Sequence, residues 1–286
     1  MDSSRVLFRI LFCIGVFAGT GLSFGDRNGN QLKECDLARP ETFEMPEVLK
    51  EISGIALDKG KNDVIYAVQD EVGQVFKLTW QNQKFQRTKF AGTGDFEDIT
   101  TLKEQLINLK SNGTLYSLPV SETHSDEAVK TKEWKNLLPK GEYEAVFGDE
   151  LTGKIYVLCK ACAIDVSGEK VSGFILNAGN TIQNAGHFSL DVQQIRAMNV
   201  KVKKGFQPSA LARNPLSGDW YILSSVNKAL VVTDNKWKPK SAYLLGGNRF
   251  GQPEGIAFDK SGNLYISNEG NKTSAGNILK FKRLNK

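Results

Sequence analysis

Histidine is scarce in this chain of 286 residues: there are two, beside four cysteines, three methionines and eight prolines. Both histidines, His124 in the polar stretch 121–126 and His187 further on, stand outside every repeated motif, so a Ser-His-Asp triad has no support. Four cysteines are too few for a disulfide-built scaffold. Charge of one sign is also missing, with 37 Lys and Arg against 32 Asp and Glu. The lysines fall in small groups (Lys201, Lys203 and Lys204; Lys236, Lys238 and Lys240; Lys280 and Lys282), and no aromatic-interleaved basic patch accompanies them. Nucleic acid is therefore not an expected partner. Such lysines on β-hairpins serve as solvated edges that discourage sheet-to-sheet association, and a monomer is expected.

Long apolar runs are absent except at the start. Arg5 and Arg9 flank and interrupt an apolar stretch over 6–24, and Ser23-Phe24-Gly25 offers a small-x-small cleavage site, so residues 1–25 read as a secretory signal. The uninterrupted part, 10–24, is shorter than the roughly 20 residues that span a bilayer, which makes an uncleaved membrane anchor the lesser alternative. A periplasmic or envelope-attached protein is expected, touching the membrane only if that segment stays in place. After cleavage Cys35, Cys159 and Cys162 remain, an odd count. Cys159-Lys160-Ala161-Cys162 is a lone C-x-x-C, weak as a metal signal; a local disulfide or two unpaired thiols is the plainer reading.

What is present is repetition. Five segments share one pattern, a polar or acidic residue, any residue, Glu or Ser, a small or acidic residue, then apolar residues. They start at Glu51, Asp95, Glu142, Gln207 and Gln252, at intervals of 44, 47, 65 and 45 residues. From the third motif residue to a strand tyrosine is 13, 12, 12 and 11 residues in the first, third, fourth and fifth copies (Ser53 to Tyr66, Glu144 to Tyr156, Ser209 to Tyr221, Glu254 to Tyr265). Turn chemistry and period-two runs follow each motif, as in Asp259-Lys260-Ser261-Gly262 before Asn263-Leu264-Tyr265-Ile266-Ser267. These spacings predict an all-β propeller of five four-stranded blades over 48–286, with six as the alternative and an insertion at 167–204 in the third blade. The last repeat stops at its third strand. A closed ring tolerates no free edge, so segment 26–47, around 32–37, is expected to supply the closing strand.

In a propeller the loop leading into each inner strand opens on one face of the channel. That face would gather Glu51, Ser53, Asp95, Glu97, Asp98, Glu142, Glu144, Ser209 and Glu254 from the motifs, and Asp70, Glu71, Asn268 and Glu269 from the loops between second and third strands. Glu97, Glu144 and Glu254 hold the same motif position, so like charges converge and raise one another's pKa unless a cation neutralises them. Oxygen ligands on an exported protein point to Ca²⁺ as the metal ion. The plainer reading is that these side chains cap neighbouring backbone N–H groups, as the serines at 53 and 209 are expected to do.

The motifs, above all Pro253-Glu254-Gly255-Ile256-Ala257-Phe258-Asp259, resemble the SdiA-regulated family over about residues 48–283, within the wider NHL and lactonase-type propellers. The resemblance implies a five- or six-bladed propeller held in the bacterial envelope, with calcium as its ion and no established reaction. The chain departs from the family pattern at Pro208-Ser209-Ala210 and at Asp70-Glu71-Val72-Gly73. The first expectation is thus a calcium-binding or scaffold protein with an unknown small molecule or envelope protein as partner. The second is a metal-dependent phytase-like or lactonase-like hydrolase, with Arg249 as the basic residue for phosphate; the third is a purely structural interaction module.

Overall fold

The computed structural model describes residues 32–284 except 59–62, 81, 167 and 204, so the expected signal segment 1–25 lies outside the described residues. The first strand, β1 (Glu41–Glu44), belongs to the last sheet. Blade 1 is β2 (Ile52–Leu57), β3 (Val64–Gln69), β4 (Val72–Thr79) and β5 (Asn82–Thr93). Blade 2 follows as β6 (Phe96–Leu102), β7 (Gln105–Lys110), β8 (Leu115–Pro119) and β9 (Lys132–Trp134). Blade 3 has the longer strands β10 (Gly141–Asp149), β11 (Lys154–Cys162), β12 (Lys170–Ala178) and β13 (Ile182–Asp191), and blade 4 is β14 (Ala210–Arg213), β15 (Trp220–Ser224), β16 (Ala229–Thr233) and β17 (Pro239–Leu244). Blade 5 is β18 (Pro253–Phe258), β19 (Leu264–Asn268) and β20 (Asn277–Phe281), completed by β1 in the order β1-β20-β19-β18.

Among the described residues these are five antiparallel four-stranded sheets, a five-bladed β-propeller. The surplus in the third interval makes no sixth blade. It lengthens β12 and β13 and adds the short helix α1 (Val192–Ala197), whose N-cap Asp191 accepts the backbone N–H groups of Gln193 and Gln194.

Ring closure comes from within the expected segment 26–47, but at Glu41–Glu44 instead of around 32–37. β1 pairs with β20 from Glu41↔Lys280 to Glu44↔Asn277, while Leu32 and Cys35 lie buried against blades 4 and 5 and Cys35 makes only an isolated bridge to Arg283. Leu32 and Cys35 are small and apolar enough to fill an inter-blade gap, whereas Glu41-Thr42-Phe43-Glu44 suits an outer strand with its carboxylates in solvent. Glu41 there meets Lys282 at 2.5 Å. Among the described residues Cys35 is the free cysteine, its thiol pushed up to about 12 by burial and by Glu34 and Asp36.

The core lies between blades. Each inter-blade layer is one apolar cluster, for example Leu158, Leu190, Ile222 and Val231 between blades 3 and 4. The recurrent tyrosine has a structural cause. Tyr66, Tyr156, Tyr221 and Tyr265 sit in register opposite Ala56, Phe147, Ala212 and Ala257, and the hydroxyls of Tyr66 and Tyr265 donate to Asp58 (2.9 Å) and Asp259 (3.1 Å) at the end of the inner strand. Each pair ties the inner strand's exit to the second strand. Blade 2 has Ile107 opposite Thr100 instead, which is why its repeat is the loosest.

Candidate functional site: the acidic mouth

All five inner strands run the same way, so their starting ends gather at one end of the channel. In each of three blades the third motif residue is skipped by the strand pairing. Phe96 and Asp98 pair with Lys110 and Leu109, Tyr143 and Ala145 with Cys159 and Leu158, Pro253 and Gly255 with Asn268 and Ser267, leaving Glu97, Glu144 and Glu254 as the extra residues of β-bulges. A bulge re-aims a side chain out of the pleat, and here it turns three carboxylates toward one end of the channel. Ser53 lies in the corresponding irregularity of blade 1, between Ile52 and Ile55.

Glu97 and Glu254 each feel Glu144. Burial, then Glu144 and Asp95, pushes the Glu97 carboxyl up to about 9; burial, then Glu144, pushes Glu254 up to about 7. Glu144 is also raised by burial, against the pull of an ammonium group, Lys160, whose Nζ donates to Glu144 Oε1 at 2.7 Å. Lys160 occupies a bulge of its own, since Glu142 pairs with Ala161 and Tyr143 with Cys159. The C-x-x-C is closed as the disulfide Cys159–Cys162, which clamps the strand end that carries this lysine. Burial works to lower the Lys160 pKa, yet Glu144, Glu97 and Glu254 together hold it above the ordinary value. Glu144, Lys160, Ser209, Lys228 and Glu254 line a recess of about 380 Å³.

The other expected residues divide. Glu51, Glu71, Asp95 and Glu142 are exposed, while Asp70 and Glu269 are half-buried and raised, first by burial and then by acidic neighbours that include Glu51. One buried oxygen of Asp70 has no hydrogen-bond partner, and Glu269 accepts from Gln252. Asp98 turns away from the channel: its two oxygens accept the N–H groups of Ile99 (2.8 Å) and Val146 (2.7 Å), joining blades 2 and 3. Ser209 caps backbone, donating to Pro253 O and accepting from Ser225 N; at Ser53 it is the carbonyl that accepts, from Ser267 Oγ. Asn268 is buried, with its Nδ2 donating to Asn277. Arg249 is exposed in the turn Asn248–Phe250 and does not line the recess. The cation that reaches the carboxylates is Lys160, which motif reading passed over. A lysine between two cysteines facing an acidic ring was the available signal.

The residues present do not fit calcium as they stand. Among the described residues no three acidic, histidine or cysteine side chains converge as a metal cage, and the Lys160 ammonium is bonded to Glu144 where an ion would compete. The geometry can neutralise the ring by protonating Glu97 and Glu254, or by admitting positive charge.

A pH profile follows from the raised carboxyls. A carboxyl whose folded pKa exceeds its unfolded value of 4.5 contributes stability that is complete below 4.5 and is lost as pH rises through about 7 for Glu254 and about 9 for Glu97. The melting temperature should therefore fall from pH 5 to pH 9 in calorimetry, and the double substitution Glu97→Gln with Glu254→Gln should flatten the decline. A melting temperature that climbs over that range would contradict the assignment.

No curated protein matches the chain. Among solved structures it is similar to Myxococcus xanthus glutaminyl cyclase (11% identity, 86% of this chain and 96% of that one, TM-score 0.57). It is also similar to a luciferin-regenerating enzyme (11% identity, 85% and 95%, TM-score 0.54) and to U3-55K (8% identity, 85% and 100%, TM-score 0.52). At these identities the likeness is one of fold. The SdiA-regulated family matches over residues 171–273, from β12 to the loop before β20, a span that holds Ser209 and Glu254 but not Glu97, Glu144 or Lys160. The chain is thus a five-bladed β-propeller whose third to fifth blades are similar, over residues 171–273, to the SdiA-regulated family.

Proposed function

We propose that this chain is an exported binding protein of the bacterial envelope whose acidic mouth captures a cation in competition with its own Lys160. The observation that carries the reading is the set of three bulges that turn Glu97, Glu144 and Glu254 to the mouth, where Lys160, bonded to Glu144 at 2.7 Å, feels all three. Export is supported by the Cys159–Cys162 disulfide, a bond that persists in oxidising compartments. Among the described residues no helix is long and apolar enough to cross a membrane. Calcium is the first ion to test although the residues as they stand do not cage it; loss of the Glu97 and Glu254 protons adds negative charge to the mouth, so the affinity for any cation should rise with pH.

Mass action sets the size of the effect. A hundredfold excess over Kd adds about 2.7 kcal/mol, or about 5 °C in a domain of this size. Ca²⁺ is expected to raise the melting temperature of the protein, and more steeply after Lys160→Met, which removes the competitor. Glu97→Gln with Glu254→Gln should abolish the rise. If neither Ca²⁺ nor a polyamine such as spermidine shifts the wild type or Lys160→Met, the mouth is not a cation site.

The hydrolase reading draws on one observation, a second lysine, Lys228, in the same recess. Its Nζ, however, donates to the carbonyl oxygens of Phe250 and Gly251, and Lys160 is held by Glu144, so neither ammonium is poised for a phosphate.

A further inference from the structure

The far ends of the inner strands gather at the opposite end of the channel, where they enclose a cavity of about 530 Å³. Its floor is regular. Two residues beyond the third motif residue every blade supplies one buried aliphatic side chain, Ile55, Ile99, Val146, Leu211 and Ile256, and all five line the cavity. They form a belt between it and the acidic mouth. Leu57, Phe147 and Phe258, each half-buried, continue the wall, and Leu151 at the rim is 93% exposed. The two rings are held from behind, Phe147 edge-on to Trp220 at 5.3 Å and Phe258 edge-on to Tyr221 at 4.8 Å, so the wall is preformed.

Most charged groups on this wall have partners, Glu150 Oε1 accepting the Lys103 N–H at 2.6 Å, while Lys260 is exposed to solvent. Asp149 Oδ2 accepts from Arg213 Nη1 at 3.0 Å, and Arg213 Nε donates to Gly218 O at 3.0 Å. Asp58 and Asp259 accept tyrosine hydroxyls. The hydroxyl oxygen of Thr100 accepts the Gly148 N–H at 2.9 Å. An ionic ligand would have to shed its hydration against the aliphatic floor. A concave, mostly apolar cavity of this volume with a few fixed polar groups is the usual form of a small-molecule site.

We infer that this end of the channel is a second binding site, for an uncharged, predominantly apolar small molecule, separate from the acidic mouth and independent of the cation reading. The neutral fluorophore N-phenyl-1-naphthylamine serves as the probe. Its fluorescence should rise saturably with one equivalent bound per chain. Leu57→Arg, which places a charge on the apolar wall, should weaken binding by about tenfold or more, because a charge without a partner is costly to cover with an apolar molecule. Val129→Arg, at a loop position 84% exposed, should leave binding unchanged. If Leu57→Arg loses its cooperative melt, Leu151→Arg decides, since its exposed side chain carries no packing and a several-fold loss is still expected. Non-saturating fluorescence, or equal affinity in the wild type and a folded wall variant, would overturn the site.

Discussion

Trp220→Ala is expected to lower the unfolding free energy by about 3–5 kcal/mol, the range for removing a fully buried tryptophan. Trp220 is 2% exposed, and its ring stacks on Trp237 with centroids 4.4 Å apart, lies 4.7 Å from Tyr156 and meets Phe147 edge-on. Tyr156 and Phe147 belong to blade 3, whereas Trp220 belongs to blade 4 and Trp237 to the turn after β16, so one side chain joins two blades. Phe188 of blade 3 stacks on Trp237 from the other side at 3.6 Å. Truncation leaves a void that rigid flanking strands cannot collapse around, and the ring has no slack to close it by moving one blade. Urea unfolding followed by far-ultraviolet circular dichroism should show the midpoint falling at constant slope. A loss below about 1 kcal/mol would mean that the aromatic stack is not what holds blades 3 and 4 together.

Asp98→Ala should cost about 2–5 kcal/mol for a different reason. Asp98 is 3% exposed, and removing its carboxylate strands two buried N–H donors, those of Ile99 and Val146, each worth about 1–3 kcal/mol when left unsatisfied. Burial pushes the Asp98 pKa well up against these two hydrogen bonds, which favour the charged form. Asp98→Asn retains one acceptor and should lose roughly half as much. Amide hydrogen exchange supplies the diagnostic readout: the Val146 N–H, on β10 of the next blade, should exchange faster in Asp98→Ala, whereas a general loss of stability would raise core amides together. Unchanged protection at Val146 would show that the strap between blades 2 and 3 does not depend on this carboxylate.

The architecture was legible because its repeat is enforced by contacts that recur. The constant step from motif to tyrosine reflects a register in which that tyrosine faces the inner strand, and in Tyr66 and Tyr265 its hydroxyl reaches the aspartate at the strand's exit. Ser209 and its Oγ contact to Pro253 O were foreseeable as backbone capping, since a serine at a strand start has few other partners. The closing strand was harder to place. Leu32 and Cys35 look more strand-like than Glu41-Thr42-Phe43-Glu44, but an outermost strand faces water, and apolarity marks what fills the gap between blades instead. The fate of individual acids was hidden for a related reason. Glu97 and Asp98 are neighbours of one chemical type, and only the bulge, a property of the pairing between β6 and β7, sends the first to the channel and the second to a backbone strap. Lys160 escaped notice because its relevance depends on a second bulge opposite the first.

The pairing of β1 with β20 also has a consequence in time. Glu41 leaves the ribosome well before its partner Lys280, so blade 5 lacks this pairing until β20 has been made. A ring that closes only once β20 meets β1 keeps the newly made chain open until then, the state in which a polypeptide can still be threaded through a narrow pore.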